Sequence, residues 1–196
     1  MAGLTEKEKM LSGQLYYSND PVLKRDRDHA ISKTRAYHNL PPEATKARLE
    51  ILENLLGSCE PDVEIVPPFH CDYGYNLHIG HHFYANTNCV FLDCAEIRIG
   101  NHVFLGPNVH IYTANHPLDP ELRKQGLENA FSVIIEDDVW IGGGTIINAG
   151  ITIGRGTTIG SGSVVTRNVP SHVLAAGNPC RIIRHLAIPP RNTPVS

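Results

Sequence analysis

The chain lacks an excess of either charge. Its 196 residues carry 17 basic and 20 acidic side chains, for a formal net charge of −3. That balance argues against the broad basic surface of a general nucleic-acid or membrane-surface binder. There is no run of roughly 18 apolar residues, so no segment is expected to span a membrane. The opening "MAGLTEKEKMLSG" is charged and lacks the apolar stretch of a signal peptide. Cys59, Cys71, Cys89, Cys94 and Cys180 form no C-x-x-C pair. An odd, scattered set suits reduced thiols in a cytoplasmic protein better than a disulfide scaffold. "GGGTIINAG" lacks the Gly-Lys-Ser/Thr ending of a phosphate loop, and no Gly-x-Ser-x-Gly elbow offers a covalent acyl-enzyme route. The length suits one domain with a small appendage.

What the chain does have is a count of six. In "VWIGGGTIINAGITIGRGTTIGSGSVV", from Val139 to Val165, bulky aliphatics return at a fixed interval. The third place of each six holds Ile135, Ile141, Ile147, Ile153, Ile159 and Val165. The first place holds Val133, Val139, Thr145, Ile151, Thr157, Ser163 and Val169. A helix repeats its apolar face at three and four residues, so this period marks a repeat architecture instead. Upstream the same beat runs through Ile99, Leu105 and Ile111, with Ile97, Val103 and Val109 in the first place. Ile79, Ala85 and Phe91 follow it two residues out of phase, which places a bulge near Asp93–Glu96. Each six residues read as one short flat strand and a turn, and three sixes as one triangular coil. Gly and Asn near the turns supply positive φ.

Three regions follow. Residues 1–58 read as helical: Thr5 to Leu11 stopped by Gly13, a charged helix from Val22 to Tyr37, and a third in "LPPEATKARLEILENLLG". In the third, Pro42 suits the first turn, Leu49, Leu52 and Leu56 share a face, and Gly57 suits a left-handed exit. Residues 59–186 are the repeat domain, and 187–196 a Pro-rich tail. One stretch, "TANHPLDPELRKQGLENAFS" over 113–132, is polar and carries no aliphatic ladder, although the phase survives across it. It reads as a loop thrown out from one corner, where function tends to sit.

These features together resemble the hexapeptide-repeat acyltransferases, and among them the sugar O-acetyltransferases of the maltose, galactoside and nodulation types. The stretches that carry the likeness are "MLSGQLYYSNDPVL", "DYGYNLHIG", "FYANTNCVFLD", "LGPNVHIYTANHPLDPELR", "VWIGGG", "GSGSVVT" and "AGNPCRIIR". The resemblance covers nearly the whole chain. It implies a mainly β fold, a left-handed parallel β-helix with an N-terminal helical region and an extruded loop. It also implies acetyl transfer from acetyl-CoA to a sugar hydroxyl, with maltose or glucose as acceptor.

The resemblance also implies residue roles, each with a plainer alternative. His116 is the expected general base, since an attacking hydroxyl must shed its proton and histidine accepts one near neutral pH. The alternative is a loop histidine in a structural hydrogen bond. Asn86 is expected to position the acceptor or help the tetrahedral intermediate, or else to be a left-handed turn residue. Tyr84 and Asp93 match acceptor-pocket positions, Asp93 either binding a sugar hydroxyl, orienting the base or capping a turn. Tyr75, Tyr17, Asp20 and Arg27 are further acceptor candidates. Galactoside-type relatives carry Ser at the Tyr75 position and a second Asp at the Cys94 position, departures that bear on which acceptor is used.

For acetyl-CoA, Trp140 is expected to pack on the pantetheine arm, or to sit in a subunit contact. Gly143 offers a backbone N–H to the thioester oxygen. Ser161, Thr166, Arg167, Arg181 and Arg184 match positions near the adenine and phosphates, Arg being suited to phosphate and otherwise a surface charge. Arg191 reads as a tail charge. The cluster His78, His81 and His82 with His110 raises a metal reading, but no carboxylate or Cys stands at ligand spacing, so no metal is expected. Flat prism faces and the aromatics Phe104, Phe131 and Trp140 fit a homotrimer with sites between subunits. The competing readings are the same fold acting on a galactoside, an antibiotic, serine or an amino sugar, and a catalytically idle prism.

Overall fold

The computed structural model describes residues 3–187. The tail expected over 187–196, and Arg191 with it, lies outside the described residues apart from Ala187. The first two helices of the N-terminal third open on side-chain caps. The Thr5 hydroxyl accepts the Glu8 N–H while the Glu8 carboxylate accepts the Thr5 N–H, opening α1 (Glu6–Leu11), and the chain turns away at Gly13. Asp20 Oδ1 accepts the N–H groups of Val22 and Leu23, and Pro21 occupies the first position of α2 (Pro21–His38). The third helix, α3 (Thr45–Leu55), buries Leu52 and Leu55.

Two details differ from expectation there. Pro42 lies in the turn ahead of α3, not in its first turn. Gly57 does not take a positive φ. It is small because a side chain would strike the Tyr75 carbonyl and the His78 ring, and its N–H donates to the carbonyls of Gly74 and Leu77.

From Ser58 the chain winds into a left-handed parallel β-helix, as expected. One face stacks Ser58–Cys59, Leu77–Ile79, Ile97–Ile99, Val133–Ile135 and Thr152–Ile153. The second face stacks Glu64–Ile65, Tyr84–Ala85, Phe104–Leu105, Trp140–Ile141 and Thr158–Ile159, then Val173–Ala176 and the antiparallel Arg181–His185. The third stacks Phe69–Cys71, Cys89–Leu92, His110–Tyr112, Ile146–Ile147 and Val164–Val165. The third-place residues Ile135, Ile141, Ile147, Ile153, Ile159 and Val165 are buried in the prism. Thr145, Thr157 and Ser163 are buried beside them, and their hydroxyls donate to the carbonyls of Gly142, Pro170 and Gly160. That pairing removes the cost of burying a hydroxyl. Corners use left-handed residues that tolerate the conformation, Asn108 and Gly144 among them.

Register separates two kinds of coil. Ile135 pairs with Ile153 and Ile141 with Ile159, steps of eighteen residues. Upstream, Cys59 pairs with Ile79 and Ile79 with Ile99, steps of twenty. The extra residues sit at one corner, between the third face and the first, at 93–96 as expected and also at 72–76. The second slip escaped the sequence because the strands before it, Ser58–Cys59 and Glu64–Ile65, carry little aliphatic pattern.

On the next coil the same corner throws out the whole excursion. Ile99 pairs with Ile135, thirty-six residues on, so a full coil's length leaves the prism and returns in phase. The excursion is more ordered than a bare loop. Ala114–Asn115 and Leu127–Ala130 form an antiparallel hairpin, with α4 (Pro120–Lys124) between them, capped by Asp119. The Tyr16–Tyr17 strand adds to its edge, pairing Tyr16 with Glu128 and Tyr17 with Leu127. Met10, Tyr16, Leu23, Tyr73, Cys94, Ala95 and Ala130 form a second apolar core beneath, separate from that of the prism.

Candidate active site

The expanded corner is locked by Asp93. This carboxylate is 0% exposed and accepts backbone N–H bonds from Asp72 at 2.9 Å, Tyr73 at 2.8 Å and Asn76 at 3.3 Å. Burial pushes it up to about 6, against the lowering effect of those donors. Asp93 therefore caps the corner, the plainer of its expected roles. Above it lie Tyr73 and Tyr75, with ring centroids 5.3 Å apart. Arg27 braces the pair, donating to the Tyr73 hydroxyl and the Ser18 carbonyl, both at 2.8 Å. Tyr75 donates to Asp26 at 3.3 Å, and Lys7 pairs with the same carboxylate at 2.7 Å while lying 4.0 Å from the Tyr75 ring centroid. Asp20 is committed to the α2 cap. Tyr17 faces outward, its ring against Gly126.

His116 follows the Ala114–Asn115 strand and is 59% exposed. Its Nε2 stands 3.9 Å from Glu128 Oε1 across the hairpin. Glu128 Oε2 accepts a 2.8 Å hydrogen bond from the hydroxyl of Tyr16, whose residue is wholly buried. Behind Tyr16 stands Cys94, whose Sγ donates to Asp72 Oδ2 at 3.5 Å. Burial raises the Asp72 carboxyl, opposed by the Cys94 thiol and the Arg27 charge. Burial also raises the Cys94 thiol and the Tyr16 hydroxyl, so both stay protonated. A polar chain therefore runs from an exposed histidine to a buried carboxylate.

Glu128, Asp72, Tyr16 and Tyr73 were not among the residues expected at the site. Glu128 sits in a segment with no repeat to index it. Tyr16 and Tyr17 form a two-residue strand, too short for alternation to show which one faces inward.

A second set of expected residues lies elsewhere on the prism. Tyr84, Phe104, Trp140 and Thr158 stack in register along the second face. Trp140 is 57% exposed, and Phe104 beside it is also exposed. Asn86 and Gly143 sit at the corner between the second and third faces. Asn86 is not the left-handed residue of its turn, which is Asn88. Its Oδ1 accepts the Thr87 N–H at 2.8 Å. The Gly143 N–H meets no acceptor among the described residues, and a Cβ on Gly143 would press on Pro107 at 2.9 Å. Ser161 follows on the next coil, exposed at the same corner. Thr166 and Arg167 stand exposed near the far end of the helix, with Arg181 and Arg184 on the last strand.

A single chain does not bring His116 and Asn86 to the same corner. The clustered histidines also diverge. His81 and His82 face Asp62 at 3.4 and 3.0 Å, His78 meets Ser58, and His110 meets Tyr112 on another face. A cleft of about 640 Å³ between α3 and the first coils holds none of the expected site residues.

Comparison with known proteins adds to this geometry. The family described as the maltose acetyltransferase hexapeptide capping motif matches residues 9–60, and the bacterial transferase hexapeptide (six repeats) matches 132–167. Nodulation protein L of Rhizobium meliloti is 47% identical, covering 91% of this chain and 97% of its own. The crystal structure of a maltose O-acetyltransferase from Clostridium difficile 630 superposes with a TM-score of 0.93 at 48% identity, covering 95% of this chain and all of that one. A galactoside acetyltransferase in complex with coenzyme A superposes at 0.87 with 33% identity, covering 94% and 92%.

Proposed function

The chain belongs to the maltose acetyltransferase family of hexapeptide-repeat proteins and is an acetyl-CoA-dependent O-acetyltransferase, and on that premise we propose that it acetylates a hydroxyl of a maltose- or glucose-type sugar, with His116 as general base. His116 removes the proton of the acceptor hydroxyl through the ring nitrogen that does not face Glu128, as the hydroxyl oxygen attacks the thioester carbonyl carbon. The carbon–sulfur bond then breaks, and the His116 imidazolium returns the proton to the leaving thiolate. The products are an acetyl ester and free coenzyme A thiol.

The residues present suit acetyl-CoA. The Gly143 N–H, without an acceptor among the described residues, meets the charge developing on the carbonyl oxygen. Asn86 holds the acceptor hydroxyl. The exposed Trp140 and Phe104 ladder takes the pantetheine arm, and Arg167, Arg181 and Arg184 take the phosphates. The half-buried Tyr75, backed by the buried Tyr73, and Asp72 receive the sugar, the Tyr75 ring meeting its apolar face and the carboxylate its hydroxyls. Because His116 and Asn86 occupy different corners of one chain, the complete site lies between subunits of a homotrimer.

A cytoplasmic setting fits five cysteines that are all free. Among the described residues no helix is long and apolar enough to cross a membrane.

The observation that carries this reading is His116, exposed on an ordered hairpin and facing a carboxylate held from behind. The test is thiol release from acetyl-CoA across glucose, maltose, a galactoside, serine and chloramphenicol. Glucose or maltose should drive release most strongly. Release driven only by serine or chloramphenicol would overturn the sugar assignment.

A further inference from the structure

We propose that Tyr16, supplied by the N-terminal region, is a positioning residue for the base: its hydroxyl holds Glu128 so that the opposite carboxylate oxygen faces His116. The inference rests on His116 being the general base. The geometry is specific. Tyr16 is wholly buried, and its hydroxyl bonds Glu128 Oε2 at 2.8 Å, leaving Oε1 toward His116 Nε2 at 3.9 Å. Tyr16 is fixed from both sides. Its backbone pairs with Glu128 in the hairpin sheet, and its ring packs in the second core among Met10, Leu23, Tyr73 and Cys94. The groups facing Glu128 are Tyr16 from the N-terminal strand, His116 from the hairpin, and Cys94 and Asp72 from the expanded corners.

A carboxylate held by one oxygen keeps its other oxygen in a fixed direction. It accepts a hydrogen bond from the imidazolium only as that cation forms. The N-terminal helices would then serve the chemistry as well as covering the prism end. Without the hydroxyl, Glu128 is free to rotate and close on His116 in the resting enzyme, which favours the imidazolium and removes the free base.

The experiment compares the parent with Tyr16→Phe, which keeps the buried ring, and with Glu128→Gln and the double variant. Tyr16→Phe should keep its melting temperature within a few degrees and its KM for acetyl-CoA. It should lose about 10-fold in kcat, as a small misplacement of a catalytic group does. The acid limb of its kcat/KM profile should move to higher pH. In the Glu128→Gln background, adding Tyr16→Phe should cost less than twofold, because the two residues act through one contact.

An unchanged pH limb, or a full 10-fold loss in the Glu128→Gln background, would overturn the proposal and leave Tyr16 a packing residue. Failure of the base assignment itself looks different: the His116→Ala variant would then keep the parent's rate.

Discussion

The coils before and after the excursion obey different rules. Downstream, coils step by eighteen residues, with one buried aliphatic per side and turns just long enough to round a corner. Upstream, coils step by twenty, and every extra residue goes to the same corner. The excursion leaves from that corner on the next coil, and the N-terminal strand lands on it. The regular coils supply a rigid stack. The irregular corner supplies Asp72, Tyr73, Tyr75, Cys94, His116 and Glu128. Departures from the count of six mark where the fold gives up uniform packing to place polar groups.

The comparison breaks or sharpens by substitution. Ile153→Ala empties a buried position in a regular coil and should cost about 4 kcal/mol of stability by chemical denaturation, with kcat of the folded protein unchanged. Asp93→Ala leaves three buried N–H groups at the irregular corner without an acceptor. It should cost about 3 kcal/mol and abolish transfer as well, because Tyr73 and Asp72 lose their anchor.

Asp93 also predicts a pH dependence. It binds its proton more tightly folded than unfolded, its ordinary value of 3.8 rising to about 6. Its contribution to stability is therefore greatest below pH about 4, declines as pH rises to about 6, and is level beyond. In Asp93→Asn that segment of the stability curve should flatten.

Trp140→Ala, on the exposed face of a regular coil, should raise KM for acetyl-CoA about 10-fold, worth about 1.4 kcal/mol, while leaving kcat near the parent's. Arg98→Ala should change stability by less than about 0.5 kcal/mol, because the Arg98–Glu96 pair is exposed. Nearness to the irregular corner is not enough for an effect.

The regular half was legible in advance because its physics is periodic. Each of Ile135 to Val165 in the third place faces the same interior, so spacing alone located the strands. The slip at 93–96 was legible because Phe91 and Ile99 flank it in strong pattern. The slip at 72–76 was not, with Ser58, Cys59 and Glu64 before it. Site residues divided the same way. His116 stood out because no repeat position explains it, and resemblance supplied its role. Glu128 and Tyr16 acquire meaning only through strand pairing across 112 positions of sequence, which no local pattern encodes. Asp93 and Asp20 were visible as acidic residues, but their hydrogen bonds to backbone N–H groups are facts of the folded chain.

The most direct test of the division is the rate of acetyl transfer to glucose or maltose by His116→Ala, measured beside the parent and a regular-coil variant, Ile153→Val. We expect His116→Ala to lose at least about 100-fold in kcat with its melting temperature unchanged, and Ile153→Val to lose a little stability and no activity. A folded His116→Ala variant that transfers acetyl at the parent's rate would contradict the assignment of the chemistry to the irregular corner.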